Sequence, residues 1–258
     1  MDFTPLDVKS SYSLLKSPTR ISDLVTTAKE RGYKALALTD ENVLYGAVEF
    51  YNAAKKAGIK PIFGLRLVVA LNETDGTKLD LVFLAKNQRG YQHLMDLSTL
   101  QQTRKDKKAP LTVAQISPLL NELFIIIPPQ STVFSVLAQP TSILTELANL
   151  GDDDSVLLGV NSRLDDVQID TLQQLSKQLS LPLVGTSPVD YLNANDLFAS
   201  RVLQAIDAGV ELKDPTIEAE RRGQHYLHSK EQVIQDYKAK GLSAAAQKTV
   251  EVATLCNV

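Results

Sequence analysis

The sequence predicts an α/β fold of about seven strands, either a barrel or a doubly wound sheet. Three observations carry that expectation. Short apolar runs of strand length alternate with amphipathic segments along the 258 residues; the amphipathic segments repeat with helical period; and the first two end in glycine, as helix C-caps do. With 44% hydrophobic and 22% charged residues, the chain suits one large or two small domains with a substantial core.

Taken in order, PLDV (5–8) reads as the first strand. ISDLVTTAKERG then places Ile21, Leu24, Val25 and Ala28 on one face and closes on Gly32. ALALT (35–39) is a buried strand, and the helix that follows, from about Tyr45 to Lys56, closes on Gly58. PIFGLRLVVAL (61–71), LDLVFLA (79–85), LFIII (123–127), VLLGV (156–160) and LPLVGTS (181–187) complete the strand set. Strands alternating with helices argue a parallel sheet, with ligands gathered at the C-terminal ends of the strands. TRKDKKAP (103–110) and GDDDS (151–155) read as solvated breaks, because adjacent like charges find no common partner.

Charge and cysteine content narrow the function classes. The net charge of -3 lacks the basic excess of a free-standing nucleic-acid binder. One cysteine, Cys256, permits no internal disulfide, and no segment near the start has signal-peptide character, so a cytoplasmic location is expected. The longest apolar run, around 123–129, is too short to span a bilayer, so no membrane contact is expected. The glycines are scattered singly, and LVGTS lacks the further glycines and lysine of a phosphate-binding loop.

The chemistry lies in FTPLDVKSSYSLL (3–15) and in ALALTDENVLYGAVEFYNAAKKAGIKPIFGLRL (35–67). The first sets Asp7 beside Lys9 at the mouth of an apolar strand; the second delivers Thr39, Asp40 and Glu41 at a strand's C-terminal end. GAVEFYNAAKKAGIKPIFG, LAKNQRGYQHLMDLSTL (84–100) and YSLLKSPTRISDLV (12–25) occur in order, as do PLVGTSPVDYLNANDLFASRVLQAI (182–206) and AAQKTVEVATLCNV (245–258). On these segments the chain resembles the N-terminal PHP (polymerase and histidinol phosphatase) domains of the bacterial C-family replicative polymerases, the DNA polymerase III alpha subunits. Between about 110 and 180 only the strand and helix pattern supports the resemblance.

The resemblance implies a PHP-type distorted (β/α)7 barrel, akin to a TIM barrel, over 1–213. A connector over 214–258 would lead to a polymerase palm outside this chain. An intact site in that family holds divalent metals through His-x-His, Asp-His, Glu and Asp-x-His groups, which suit metal-assisted phosphoester hydrolysis. The matching positions here are Asp7 and Lys9, Asp40 and Glu41, Arg66, and Pro188 and Asp190, with Ser200 where a further histidine stands. None is histidine. His93, His225 and His228 fall elsewhere and read as surface or half-buried residues. Lysine and arginine repel cations and proline has no ligating side chain. The expectation is therefore no cofactor, with weak Mg2+ or Ca2+ at Asp7, Asp40, Glu41 and Asp190 as the alternative. Lys9 and Arg66 are expected to neutralise those carboxylates.

By resemblance, the expected role is a non-catalytic structural module of a replicative polymerase. Its partners would be the palm and thumb, a separate proofreading exonuclease and other replisome subunits, with DNA contacted mainly by the missing domains. The polymerase motif P-D-x-D-x-D is absent from these residues, so the fragment itself is expected not to polymerise. The alternative is a metal-dependent 3'-5' exonuclease or phosphoesterase with a carboxylate-rich site. The tail is expected to lean on the barrel, with Ser243 capping a helix whose apolar side, with Val250, Val252, Ala253 and Leu255, a palm would cover in part.

Overall fold

The structure, a computed structural model, describes residues 1–72, 78–106, 109–129, 131, 140–152, 154–214 and 223–258. Its seven strands are β1 (Ala35–Leu38), β2 (Lys60–Ala70), β3 (Lys78–Ala85), β4 (Leu111–Thr112), β5 (Leu123–Ile127), β6 (Val156–Val160) and β7 (Leu183–Gly185). They form one curled sheet in the order β1-β2-β3-β5-β6-β7, with the short β4 also on β2. The helices are α1 (Ile21–Glu30), α2 (Ala47–Ala57), α3 (Gln88–Gln102), α4 (Val113–Ile116), α5 (Pro140–Ala148), α6 (Asp166–Leu179), α7 (Leu197–Ala208), α8 (Lys230–Ala239) and α9 (Ser243–Leu255).

The sheet is not wholly parallel, as the alternation had suggested. β3 runs antiparallel to both β2 and β5, while the β1–β2, β5–β6 and β6–β7 pairs are parallel. β2 ends at Ala70 and β3 begins at Lys78, a separation too short for the crossover that a parallel pair needs. Residues 5–8, expected as the first strand, form instead a single parallel bridge, Val8 to Val189. That bridge closes the curl, because Pro5 and Val8 carbonyls also accept from Ala37 and Thr39 of the β1 side, at 3.0 and 2.8 Å. Thr39 seals the seam further: its hydroxyl accepts from the Val8 N–H at 2.8 Å.

Two apolar layers result from strand alternation. Leu36, Leu38, Leu65, Leu67, Phe83, Ile125 and Leu158 belong to one cluster together with α1, α2, α3 and α6. Ala35, Ala37, Ile62, Val82, Leu84, Phe124, Ile126, Leu157 and Val184 belong to a second, which fills the interior of the curl. Val252, Ala253 and Cys256 complete that second cluster. Helix α9 therefore plugs the floor, the end where the parallel strands begin. The Thr249 hydroxyl accepts from the Thr4 N–H at 2.9 Å, and an added Cβ on Gly185 would come within 3.1 Å of the Thr249 methyl. Of the apolar side that a palm was expected to cover in part, the barrel buries Val252 and Ala253, along with Ala245, Ala246 and Thr249, while Val250 is half-buried and Leu255 exposed. Leu242, not Ser243, occupies the N-cap position.

The polar breaks are partly structured. α3 runs to Gln102, and Arg104 beyond it donates to Gln115 Oε1 at 3.1 Å; Lys107 and Lys108 lie outside the described residues. In 151–155, Asp152 is an ion-pair partner of Lys86 at 3.2 Å and accepts from the Glu122 N–H at 2.9 Å, while Asp153 lies outside the described residues.

Candidate functional site

The candidate site is the mouth of the barrel, where the parallel strands end. β2 places Arg66 there by simple alternation, because residues 62, 64 and 66 share one face and Ile62 already points into the interior. The backbone is clasped at this point: Arg66 N–H donates to the Asp40 carbonyl at 3.0 Å, and Asn42 N–H donates to the Arg66 carbonyl at 2.9 Å. Asp40 and Glu41 are thereby fixed beside Arg66.

The charged side chains sort into two ion-pair groups. In one, Arg66 Nη1 donates to Asp7 Oδ1 at 2.6 Å and Nε to Asp80 Oδ1 at 3.0 Å, with Nη2 on the second Asp80 oxygen. The Asp80 fork is bidentate, the geometry that matches a guanidinium to a carboxylate. In the other, Lys9 Nζ lies 3.0 Å from Asp190 Oδ1 and 3.1 Å from Glu41 Oε1. His225 Nδ1 lies 2.8 Å from the second Asp190 oxygen. Arg66, Asp7 and Asp190 are buried; Lys9 and Glu41 are half-buried.

Asp40 stands apart. It had been expected to share the neutralising cations, but serines hold it instead. Ser10 N–H and Ser13 Oγ–H donate to Oδ1 at 2.7 and 2.6 Å, and Ser10 Oγ–H donates to Oδ2 at 2.7 Å. Ser13 Oγ also accepts from the Glu41 N–H at 3.0 Å, so Asp40 and its neighbour pin the turn at 10–17, where Leu15 sits at φ 61°. Pro188 is buried on the segment leading to Asp190. Ser200 is buried on α7, its hydroxyl 3.5 Å from Gln204 Nε2, and it has no hydrogen bond to the charged cluster among the described residues.

The electrostatics follow from this sorting. Burial opposes charge on Asp190, but Lys9 and His225 outweigh it and hold the carboxyl well below the usual range. Burial likewise works against Lys9, yet Asp190, and then Glu41 and Asp7, overcome both that and the nearby Arg66 charge, so the ammonium is held above the lysine range. Arg66 is raised in the same way by Asp7 and Asp80 against burial. Asp40 moves oppositely. Burial pushes its carboxyl up, and the serine donors offset only part of that.

Asp80 and His225 are members of the cluster that the sequence did not reveal. Asp80 lies near the start of β3 and reads as an edge residue of an apolar run; its signal is that Asp80, Val82 and Leu84 alternate on the interior face. His225 reaches the mouth because Asp190 N–H donates to its carbonyl at 2.8 Å, a pairing no local pattern announces. The other histidines stay outside: His93 Nδ1 pairs with the Asn121 carbonyl, and His228 stacks on Tyr226.

A divalent metal does not fit these residues. Lys9 and Arg66 carry their positive charges into the positions that face Asp7, Glu41 and Asp190, and each would repel an added cation. Among the described residues no group of three or more His, Cys, Asp or Glu side chains is arranged to hold a metal ion.

Comparison with known proteins bears on this geometry. Residues 5–148 match the PHP domain family. The DNA polymerase III subunit alpha of Halalkalibacterium halodurans is 32% identical over 265 residues, covering all of this chain and 23% of that protein. The Bacillus subtilis protein of the same name is 31% identical over 266 residues, with the same coverage. The chain thus spans about a quarter of the length of these relatives. Among solved structures, an amidohydrolase from Chromobacterium violaceum aligns with a TM-score of 0.50 and 13% identity over 73% of this chain and 87% of that one. That likeness is one of fold.

Proposed function

This chain belongs to the PHP family, and from that premise we propose that it serves a bacterial replicative DNA polymerase alpha subunit as a non-catalytic structural module. The observation that carries the proposal is the pair of cations at the mouth. Where metal-dependent phosphoester hydrolysis needs ions that generate hydroxide, Arg66 sits between Asp7 and Asp80, and Lys9 between Glu41 and Asp190. The cluster then acts as an internal brace. It joins the N-terminal segment, β2, β3 and the strap at 223–227, and gives the rest of a longer chain a rigid surface to pack against. The palm and thumb of such a chain, a separate proofreading exonuclease and other replisome subunits are the partners this role implies, in the cytoplasm. Residues 214–258 would lead onward to the palm.

The competing reading is a metal-dependent 3'-5' exonuclease or phosphoesterase, and the feature that favours it is Asp40, a buried carboxylate with no cation partner among the described residues. Elemental analysis of protein purified without chelator separates the two. The structural role predicts no stoichiometric zinc or manganese and no shortening of a 3' end with manganese present. Two or three tightly held ions per chain, or nuclease activity abolished by Asp40→Asn, would establish the enzyme instead.

A further inference from the structure

The two ends of the barrel differ in charge. At the mouth, the carboxylates of Asp7, Asp40, Glu41, Asp80 and Asp190 outnumber the cations Lys9 and Arg66. The floor is lined by lysines. Hydrogen bonds place them in a row: Lys60 N–H donates to the Lys34 carbonyl at 2.9 Å, Lys60 Nζ donates to Asn257 Oδ1 at 2.9 Å, and Asn257 N–H donates to the Lys86 carbonyl at 2.7 Å. Lys86, Asn257 and Lys248 line a cleft of about 580 Å³ beside α9 together with Glu122 and Asp154, and because Lys86 and Lys248 are paired with Asp152 and Glu251 at 3.2 and 3.0 Å they add no free charge to the row.

Lys29 in the last turn of α1, and Lys55 and Lys56 in the last turn of α2, flank this row. Lysines at helix ends complement the helix dipole, which is a sufficient reason for those three. It does not account for Lys34 and Lys60, which lie outside the helices. Nor are these charges consumed locally. Among the described residues Lys29, Lys55, Lys56 and Lys60 have no carboxylate within ion-pair distance, and Lys34 has only Asp2, at 3.6 Å, while remaining highly exposed.

We infer that the barrel floor, centred on Lys29, Lys34, Lys56 and Lys60, is a contact surface for the phosphate backbone of DNA. The recognition is electrostatic and sequence-independent: ammonium groups replace condensed counterions along the backbone. The acid-rich mouth orients the encounter, since a polyanion is repelled at one end of the barrel and attracted at the other. The overall charge of -3 makes this a local surface, not a free-standing binding domain. In taking the polyanion to be DNA the inference rests on the proposed function.

The test is anisotropy of a fluorescent duplex of arbitrary sequence titrated with the 258-residue protein at 50 and 200 mM KCl. Engagement of about four phosphates implies a loss of affinity of about 100-fold between those salt concentrations. The variant Lys29→Glu, Lys34→Glu, Lys56→Glu changes only exposed side chains and is expected to weaken binding at 50 mM at least tenfold. The matched control Lys105→Glu, Lys213→Glu, Lys238→Glu carries the same net charge and is expected to stay within about threefold of the parent. Absence of binding at 50 mM, equal losses in the two variants, or binding indifferent to salt would overturn the inference. A failure of the proposed function would register separately, as bound metal or nuclease activity in the same preparations.

Discussion

Removing Arg66 strips the positive charge from between Asp7 and Asp80, one of them fully buried. Arg66→Ala is expected to destabilise the protein by about 3–5 kcal/mol, the range for breaking a buried pair from one side. Adding Asp7→Asn should recover part of that loss, whereas adding Asp40→Asn should not, because Asp40 is held by serines. Denaturant unfolding of these single and double variants checks the coupling. Acid titration gives a second prediction. The Asp190 carboxyl is depressed in the fold, so its contribution is complete above the ordinary carboxylate range and is lost as pH falls through that range and below. Asp40 has the opposite sign: its raised carboxyl favours the folded state at low pH, and that advantage fades as pH rises through its folded value. Stability measured from pH 6 down to pH 2 should therefore fall less steeply in Asp190→Asn than in the parent, and more steeply in Asp40→Asn. Lys9 and Arg66 were legible because the family resemblance sets them among expected carboxylates, where a cation must be answered by neighbouring charge. Asp80 and His225 were not, since one is disguised as a strand end and the other arrives through tertiary pairing between residues 190 and 225.

At the scale of elements, α9 enters the barrel more deeply than its sequence reading required. Val252 and Ala253 of its apolar side join the interior cluster, while Leu255 stays exposed. Hydrogen exchange should find the amides around Val252 as protected as those of β2, and Val252→Asp should destabilise the barrel by several kcal/mol, about the scale of burying an unpaired charge. Thermal unfolding with the exchange measurement decides both; fast exchange at 249–253 would mean the plug is loosely held. Periodicity gave away α1, α2 and most strands, since both helices bury the stripes their spacing marks and α2 closes on Gly58 in the left-handed region. Strand direction was not readable. An apolar run looks the same whichever way it runs, and only the short separation between Ala70 and Lys78 hints at the reversal. Residues 5–8 failed as a strand for a related reason: one bridge and a few hydrogen bonds suffice to seal a seam without a full ladder.

At the scale of the molecule, the barrel couples a braced mouth to a plugged floor, and the tail contributes to both through His225 and α9. The reversal of β3 also sets an order of events during folding. β2 and β3 are adjacent in the chain and share seven paired residues, Gly64 to Ala70 against Leu84 to Lys78, so their pairing closes only a short loop. The Val8–Val189 seam, in contrast, must bring together the two ends of the barrel sequence. Pairings with low loop entropy are available early, and the distant one forms only after the intervening strands are in place. Val82→Ala, in the hairpin, should therefore slow refolding by most of its effect on stability, while Val189→Ala, at the seam, should leave refolding nearly unchanged and speed unfolding. Stopped-flow kinetics on the two variants would read this directly: the barrel begins as a hairpin and ends as a closed ring.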